Sequence, residues 1–202
     1  MTIDKDILNR LKEQNISVFT INDIIDLGSY DNLRKTLERM TKSGTLRRLI
    51  RGVYEIPKYN KTFNMFAPPS IDEIAKALSR NFNWDIYPSG NYALNILGIS
   101  TQIPSKYIYI SSGPNRKYEY EGNIIFFKHA TLKETNSFSY ITNIVIQSFK
   151  ELGKDNITDD IIKLIRQKFS SEEINLICEE AKKTTIWIYQ NILRLKEVNI
   201  HE

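Results

Sequence analysis

Basic side chains are concentrated in one short stretch of the sequence, residues 34–58. This stretch carries eight lysines and arginines against two acidic residues, whereas residues 1–33 carry three basic residues against six acidic ones. The net charge of the whole chain is only +4. A local excess of guanidinium and ammonium groups is typical of a surface that binds a phosphate backbone. The candidate side chains are Arg34, Lys35, Arg39, Lys42, Arg47, Arg48 and Arg51.

The elements that would position these side chains can be predicted from apolar periodicity. A first amphipathic helix is expected to end at Asn15. A second, short helix follows the capping-box pair Thr20 and Asp23 and is expected to stop at a left-handed Gly28. A third helix ends at Gly44, and its periodicity gives it an apolar back and a mostly basic front.

The segment that follows, SGTLRRLIRGVYEIPK, predicts two short strands joined tightly at Arg51-Gly52. Three helices and a hairpin describe a winged helix-turn-helix over residues 1–58. The third helix would enter the major groove, and the hairpin would lie along the neighbouring backbone. Arg47, Arg48 and Arg51 would then grip phosphates or reach a narrow minor groove. A solvated basic face and a protein-docking module are the alternatives.

The remainder of the chain predicts a linker and a second, mixed domain, so the expected fold class is α+β. Residues 59–69 are aperiodic and end in two prolines, which predicts a linker. Residues 70–202 are expected to form a mixed α/β domain, which opens with a helix capped by Ser70 and Glu73. Its small sheet would use strands at 84–87, 106–111, 116–120 and 123–128, and Ser89 would cap a short helix between the first two. The C-terminal helices are expected at 137–152, 158–168, 171–182 and 185–197.

Three pieces of the sequence resemble a known family. They are SGTLRRLIRGVYEIPK, YPSGNYALNILGISTQIPSKYIYISSGPNR and IIFFK, and the resemblance is continuous from about Ile21 to Lys128. The chain resembles the AbiEi-type antitoxins of abortive-infection (type IV) toxin-antitoxin systems. The resemblance implies an N-terminal domain that binds double-stranded promoter DNA, often at inverted repeats, and represses its own operon. It implies a C-terminal domain that opposes a nucleotidyltransferase-like toxin. By the same resemblance the DNA-binding role falls on Arg34, Lys35, Arg39, Arg47, Arg48 and Arg51.

Catalysis is the rival class of function, and the sequence offers little for it. The turn at Ser111–Lys117 could hold a phosphate but lacks the spacing of a P-loop. The PSGN segment at 88–91 could bind an anion at a helix start, but helix capping explains it equally well. The sequence contains one cysteine, Cys178, and two histidines, His129 and His201. These are too few for a Cys/His metal site. We therefore expect no enzyme activity, metal or cofactor. Two tyrosine pairs on adjacent strands are expected to pack in the sheet, and the alternatives are a stacking surface for bases or a flat surface for a protein partner: Tyr107, Tyr109, Tyr118 and Tyr120.

The segment Met1–Gln14 is polar and amphipathic rather than a signal peptide, and no apolar run reaches the length of a membrane span. We expect a cytoplasmic antitoxin and autorepressor without membrane contact. A ligand-sensing transcriptional regulator, or a second domain that acts catalytically on nucleotides or RNA, are the alternatives.

Overall fold

The computed structural model describes residues 3–131 and 138–197. The chain is a mixed α+β protein with small sheets and C-terminal helices, as the sequence predicts. It divides into two compact units. The first comprises Met1–Trp84 with Glu119–Glu121, and the second comprises Asp85–Tyr118 with Gly122–Glu202.

The first unit opens with helices and strands that carry the basic stretch. In chain order these are α1 (Ile3–Glu13), β1 (Val18–Thr20), a 3₁₀ helix (Ile21–Leu27), α2 (Tyr30–Lys42), β2 (Arg47–Ile50) and β3 (Val53–Glu55). The predicted stops after α1 and α2 are confirmed, since Asn15 and Gly44 have φ of 52° and 77°. Gly28 has φ of 171°, so its predicted left-handed conformation is wrong. The three helical segments bury one apolar cluster: Ile7, Leu11, Phe19, Ile24, Leu33, Leu37, Met40 and Leu46.

A three-stranded antiparallel sheet completes this part of the unit, in the order β1-β3-β2. The hairpin predicted from the basic segment is β2–β3, and its turn places Gly52 at φ 80°. Strand β1 was not predicted. It is three residues long and all three are buried, so it has no polar–apolar alternation to reveal it.

The predicted linker contains a second hairpin, formed by β4 (Tyr59–Asn60) and β5 (Met65–Phe66). After it, α3 (Ile71–Phe82) packs on the first unit, although the sequence placed this helix in the second domain. Ser70 occupies the N-cap of α3 without a side-chain cap bond. The predicted capping residue Glu73 instead accepts a hydrogen bond from Ser17 Oγ at 2.7 Å.

An ion pair also attaches α3 to the first unit. Arg80 Nε donates to Asp23 Oδ1 at 2.8 Å, and Arg80 Nη2 donates to Val18 O at 2.8 Å. The other carboxylate oxygen of Asp23 accepts from Thr20 N at 2.8 Å, as the predicted capping box requires. The contacts of α3 therefore move the boundary between the units from residues 59–69 to Trp84.

The second unit combines a four-stranded sheet with helices. Its elements are β6 (Ile86–Ser89), α4 (Asn91–Ile96), β7 (Lys106–Ser111), β8 (Arg116–Tyr120, whose last two residues are assigned to the first unit), β9 (Asn123–His129), α5 (Tyr140–Leu152), a 3₁₀ helix (Lys154–Asn156), α6 (Asp159–Arg166), α7 (Ser171–Ala181) and α8 (Ile186–Glu197). The strand order is β6-β7-β9-β8, with β7 and β9 parallel. These elements confirm the predicted strands and C-terminal helices to within a few residues. Ser137 and His201 lie outside the described residues.

Two finer predictions for this unit are wrong. The tyrosine pairs are not on adjacent strands, because β9 lies between β7 and β8. Tyr109 is buried, and its ring lies 5.5 Å from that of Tyr92 and 5.8 Å from that of Phe127, which is packing within the unit. Gly90 rather than Ser89 is the N-cap of α4, and Ser89 Oγ donates to Gln147 Oε1 at 3.1 Å.

Candidate nucleic-acid interface

Helix α2 carries the first group of predicted basic residues on its exposed face. Its buried side is formed by Leu33, Thr36, Leu37 and Met40, which hold the helix against the apolar cluster. Positions between these buried residues point away from the core because a helix repeats every 3.6 residues. The exposed basic residues are Arg34, Lys35, Arg39 and Lys42.

Two of these four cations are already paired with carboxylates. Arg39 Nη2 lies 2.5 Å from Asp4 Oδ1 of α1, and Lys42 Nζ lies 2.9 Å from Glu38 Oε1 within α2. The hydrogen bond and charge of Lys42 lower the pKa of Glu38. Both pairs are exposed to solvent, so a phosphate can replace the carboxylate at small cost.

The β2–β3 hairpin is attached to the end of α2 and carries the second group. Leu46 N donates to Met40 O at 3.1 Å, which fixes the start of β2 against the last turn of the helix. The strand register then shifts at Leu49. Ile50 pairs with Val53, whereas Arg48 pairs with Tyr54 and Arg47 pairs with Glu55, so Leu49 is a β-bulge.

Arg47 is committed to contacts within the first unit. Its Nε and Nη2 donate to Glu55 Oε2 at 2.9 and 2.6 Å, and Nη2 also donates to Ala67 O at 2.9 Å. The Glu55 side chain is 4% exposed. Burial raises the pKa of Glu55, and the hydrogen bond and charge of Arg47 oppose that shift. The structure thus gives Arg47, predicted as a phosphate contact, the role of counter-charge to a buried carboxylate.

Four of the predicted cations remain available for an external anion. Arg34, Lys35, Arg48 and Arg51 are exposed, and none has a carboxylate within salt-bridge distance among the residues that the structure describes. Arg51 lies in the turn at the tip of the hairpin, beside Gly52. Guanidinium and ammonium groups without a carboxylate partner can bind phosphate oxygens.

The alternative sites in the second unit are occupied by their own contacts. In the Ser111–Lys117 turn, Gly113 N donates to Ser111 Oγ at 3.0 Å, and His129 Nδ1 lies 2.9 Å from Gly113 O. Cys178 is buried, which raises the pKa of its thiol.

Residues 3–131 and 138–197 hold no group of three or more His, Cys, Asp or Glu side chains placed to bind a metal ion. Within the same residues, no helix has the length and apolar character of a membrane span.

One feature of the first unit was not predicted as functional. The β4–β5 hairpin exposes four large apolar side chains, and the signal in the sequence was a run of aromatic residues without periodicity. The side chains are Tyr59, Phe63, Met65 and Phe66.

The model of a family of unknown function, DUF6088, matches residues 5–177. No curated protein matches the chain. The chain is similar to the RV2827C protein from Mycobacterium tuberculosis, whose crystal structure aligns with a TM-score of 0.43 and 12% identity over 98% of this chain and 77% of that chain.

Proposed function

The chain belongs to DUF6088, a family of unknown function, and we propose from its own residues that it is a DNA-binding autorepressor and antitoxin of a toxin-antitoxin operon. Its first unit would be a winged helix-turn-helix in which α2 enters the major groove and the β2–β3 hairpin is the wing. The protein would act in the cytoplasm by binding rather than by catalysis.

The order of elements in the first unit supports the winged helix. A helix, a short strand, a helical turn, a second helix and a hairpin follow one another between Ile3 and Glu55. The hydrogen bond from Leu46 N to Met40 O holds the hairpin at the end of α2. A wing in this position can contact the backbone beside the groove that α2 would occupy.

The observation that carries the proposal is the set of four exposed cations without a carboxylate partner among the described residues. Arg34 and Lys35 lie on α2, and Arg48 and Arg51 lie on the wing. Four neutralised phosphates would give a slope of log K against log salt of about −3.6, at about −0.9 for each phosphate. The paired Arg39 and Lys42 could add to this slope if phosphates displace their carboxylates.

The antitoxin half of the proposal is supported by the resemblance to AbiEi-type antitoxins, which extends through β6, α4 and β7 of the second unit. It implies that the second unit opposes a nucleotidyltransferase-like toxin encoded beside this gene. Repression by the first unit would then limit expression of both genes.

The test of DNA binding is a titration of the full chain against labelled duplex from upstream of its own gene, at several salt concentrations. Combining Arg48→Ala with Arg51→Ala should lower the magnitude of the salt slope by about 1.8 and weaken binding to all DNA alike. Arg34→Ala or Lys35→Ala should instead reduce the preference for promoter over unrelated duplex, by about 1 to 3 kcal/mol for each lost base contact.

The matched control combines Lys128→Ala with Lys163→Ala, which removes the same charge from exposed positions of the second unit. This control should leave the salt slope and the affinity unchanged. Binding that does not depend on salt, or an equal loss in the control, would contradict the proposed interface.

A further inference from the structure

The β4–β5 hairpin presents an aromatic side chain at its tip. Tyr59 pairs with Phe66 and Asn60 pairs with Met65, so residues 61–64 form the turn. Phe63 in this turn is 72% exposed. Contiguous exposed apolar side chains on a small unit mark a surface that contacts a partner.

The turn holds Phe63 in a defined place. Asn60 Oδ1 accepts hydrogen bonds from Thr62 N at 3.0 Å and from Phe63 N at 3.3 Å. Tyr59 Oη hydrogen-bonds to Asn64 Oδ1, which closes the turn from the other side. The Tyr59 and Phe66 rings meet edge to face at 5.3 Å across the strands. The apolar tip is therefore supported by its own hairpin.

The base of this hairpin is attached to the strand that carries the proposed wing cations. Ala67 N donates to Lys58 O at 2.8 Å, which closes the base. Ala67 O accepts from Arg47 Nη2 at 2.9 Å, and Arg47 precedes Arg48 in β2. The base of the β4–β5 hairpin is thus attached to β2 at the residue that precedes Arg48.

The charge around the tip favours a polyanion as the partner. No acidic residue occurs between Ile56 and Ile71, and Lys61 in the turn is exposed. Lys58 at the base of the hairpin is also exposed, and its Nζ lies 4.0 Å from Glu73 Oε1. Apolar wedges accompanied by cations are used by minor-groove proteins, which insert Phe, Leu, Ile, Met or Pro between base steps and kink the duplex.

We propose that Phe63 is a wedge that inserts between base pairs in the minor groove beside the surface of Arg48 and Arg51, and that it bends the bound DNA. This inference rests on the proposed DNA-binding function. It adds deformation of the duplex as a source of sequence preference at base pairs that α2 does not touch.

The test is a bending assay with the full chain and a promoter duplex that carries a fluorophore at each end. The wild-type protein should bend the duplex by about 20 to 90°, seen as increased energy transfer. Phe63→Ala should remove the bend and weaken binding about tenfold, with the salt slope unchanged because phenylalanine carries no charge. Phe63→Leu should retain the bend because leucine also serves as a wedge.

The matched control is Ile103→Ala, which removes an apolar side chain that is 84% exposed in the second unit. It should leave bending and affinity as in the wild type. The wedge is refuted, while DNA binding stands, if Phe63→Ala binds and bends DNA like the wild type. It is also refuted if the substitution changes only the oligomeric state of the protein in solution. If the wild-type protein binds no promoter DNA, the proposed function itself fails.

Discussion

Replacing Arg47 by methionine should destabilise the first unit, although the sequence places this residue among the DNA contacts. The substitution keeps much of the aliphatic length but removes three hydrogen bonds, two to Glu55 and one to Ala67 O. Removing one partner of a buried ion pair costs about 3 to 5 kcal/mol because the other charge is left uncompensated. Since the Arg47 side chain is itself 33% exposed, water can replace part of the lost interaction, and we expect about 3 kcal/mol.

The loss of stability should depend on pH. Burial raises the folded-state pKa of Glu55 above its unfolded value of about 4.3, with the Glu73 charge adding to the rise and Arg47 and Lys58 opposing it. The contribution of such a group to folding is fully present below the unfolded pKa and is lost as the pH rises through the folded pKa. Without Arg47 the folded pKa rises further. The difference between variant and wild type should therefore be small near pH 4 and largest at pH 7.

Urea unfolding at both pH values measures this difference. At pH 7 a loss of about 3 kcal/mol lowers the midpoint by about 1.5 M for a slope of about 2 kcal/mol/M. The exposed neighbour provides the control, since Arg48→Met should change stability by less than about 0.5 kcal/mol. Adding Glu55→Leu to Arg47→Met should recover most of the loss because the buried charge is then gone.

Two outcomes would refute this reasoning. The first is an Arg47→Met variant that is as stable as Arg48→Met at pH 7. The second is a variant that stays fully folded yet loses DNA affinity with a salt slope smaller by about 0.9, which would make Arg47 itself a phosphate contact.

The remaining predictions concern the boundary between the units and their division of labour. Leu78→Ala should destabilise the first unit by about 2 to 5 kcal/mol in urea unfolding, because Leu78 is 3% exposed on α3; an unchanged midpoint would contradict the packing of α3 there. In cells, combining Arg48→Ala with Arg51→Ala should derepress a promoter reporter yet still protect growth when the neighbouring toxin gene is induced. If the variant melts like the wild type but no longer protects growth, the DNA-binding surface itself is needed to neutralise the toxin.

Helices could be predicted from this sequence because their signals are local and repeated. Each predicted helix of the first unit has its apolar face in the core, and α1 and α2 stop before Asn15 and Gly44 as expected. The boundary between the units could not be predicted, because two prolines in 59–69 read as a linker. What attaches α3 to the first unit is a set of contacts distant in sequence, such as Ser17 with Glu73 and Arg80 with Asp23.

The candidate site was predictable as a cluster of charge but not residue by residue. A two-residue turn at Arg51-Gly52 without irregularity would pair Ile50 with Val53 and, two residues further, Arg48 with Glu55. The bulge at Leu49 shifts the register, so Arg47 meets Glu55 instead. Because neighbouring strand residues point to opposite faces, this single extra residue decides which of the two arginines faces the buried carboxylate of Glu55.

The bulge also connects the stability of the hairpin to the proposed recognition surface. The inward Arg47 guanidinium donates hydrogen bonds to the buried Glu55 carboxylate and to Ala67 O. The same side chain therefore stabilises both hairpins of the first unit. With Arg47 held inward, Arg48 opposite Tyr54 is directed to the other face, where it is exposed. In the proposed function, a phosphate contact at Arg48 would thus depend on a buried ion pair one residue away. Arg47 is then a positioning residue, and its loss should weaken DNA binding through the fold of the hairpin rather than through a lost phosphate contact.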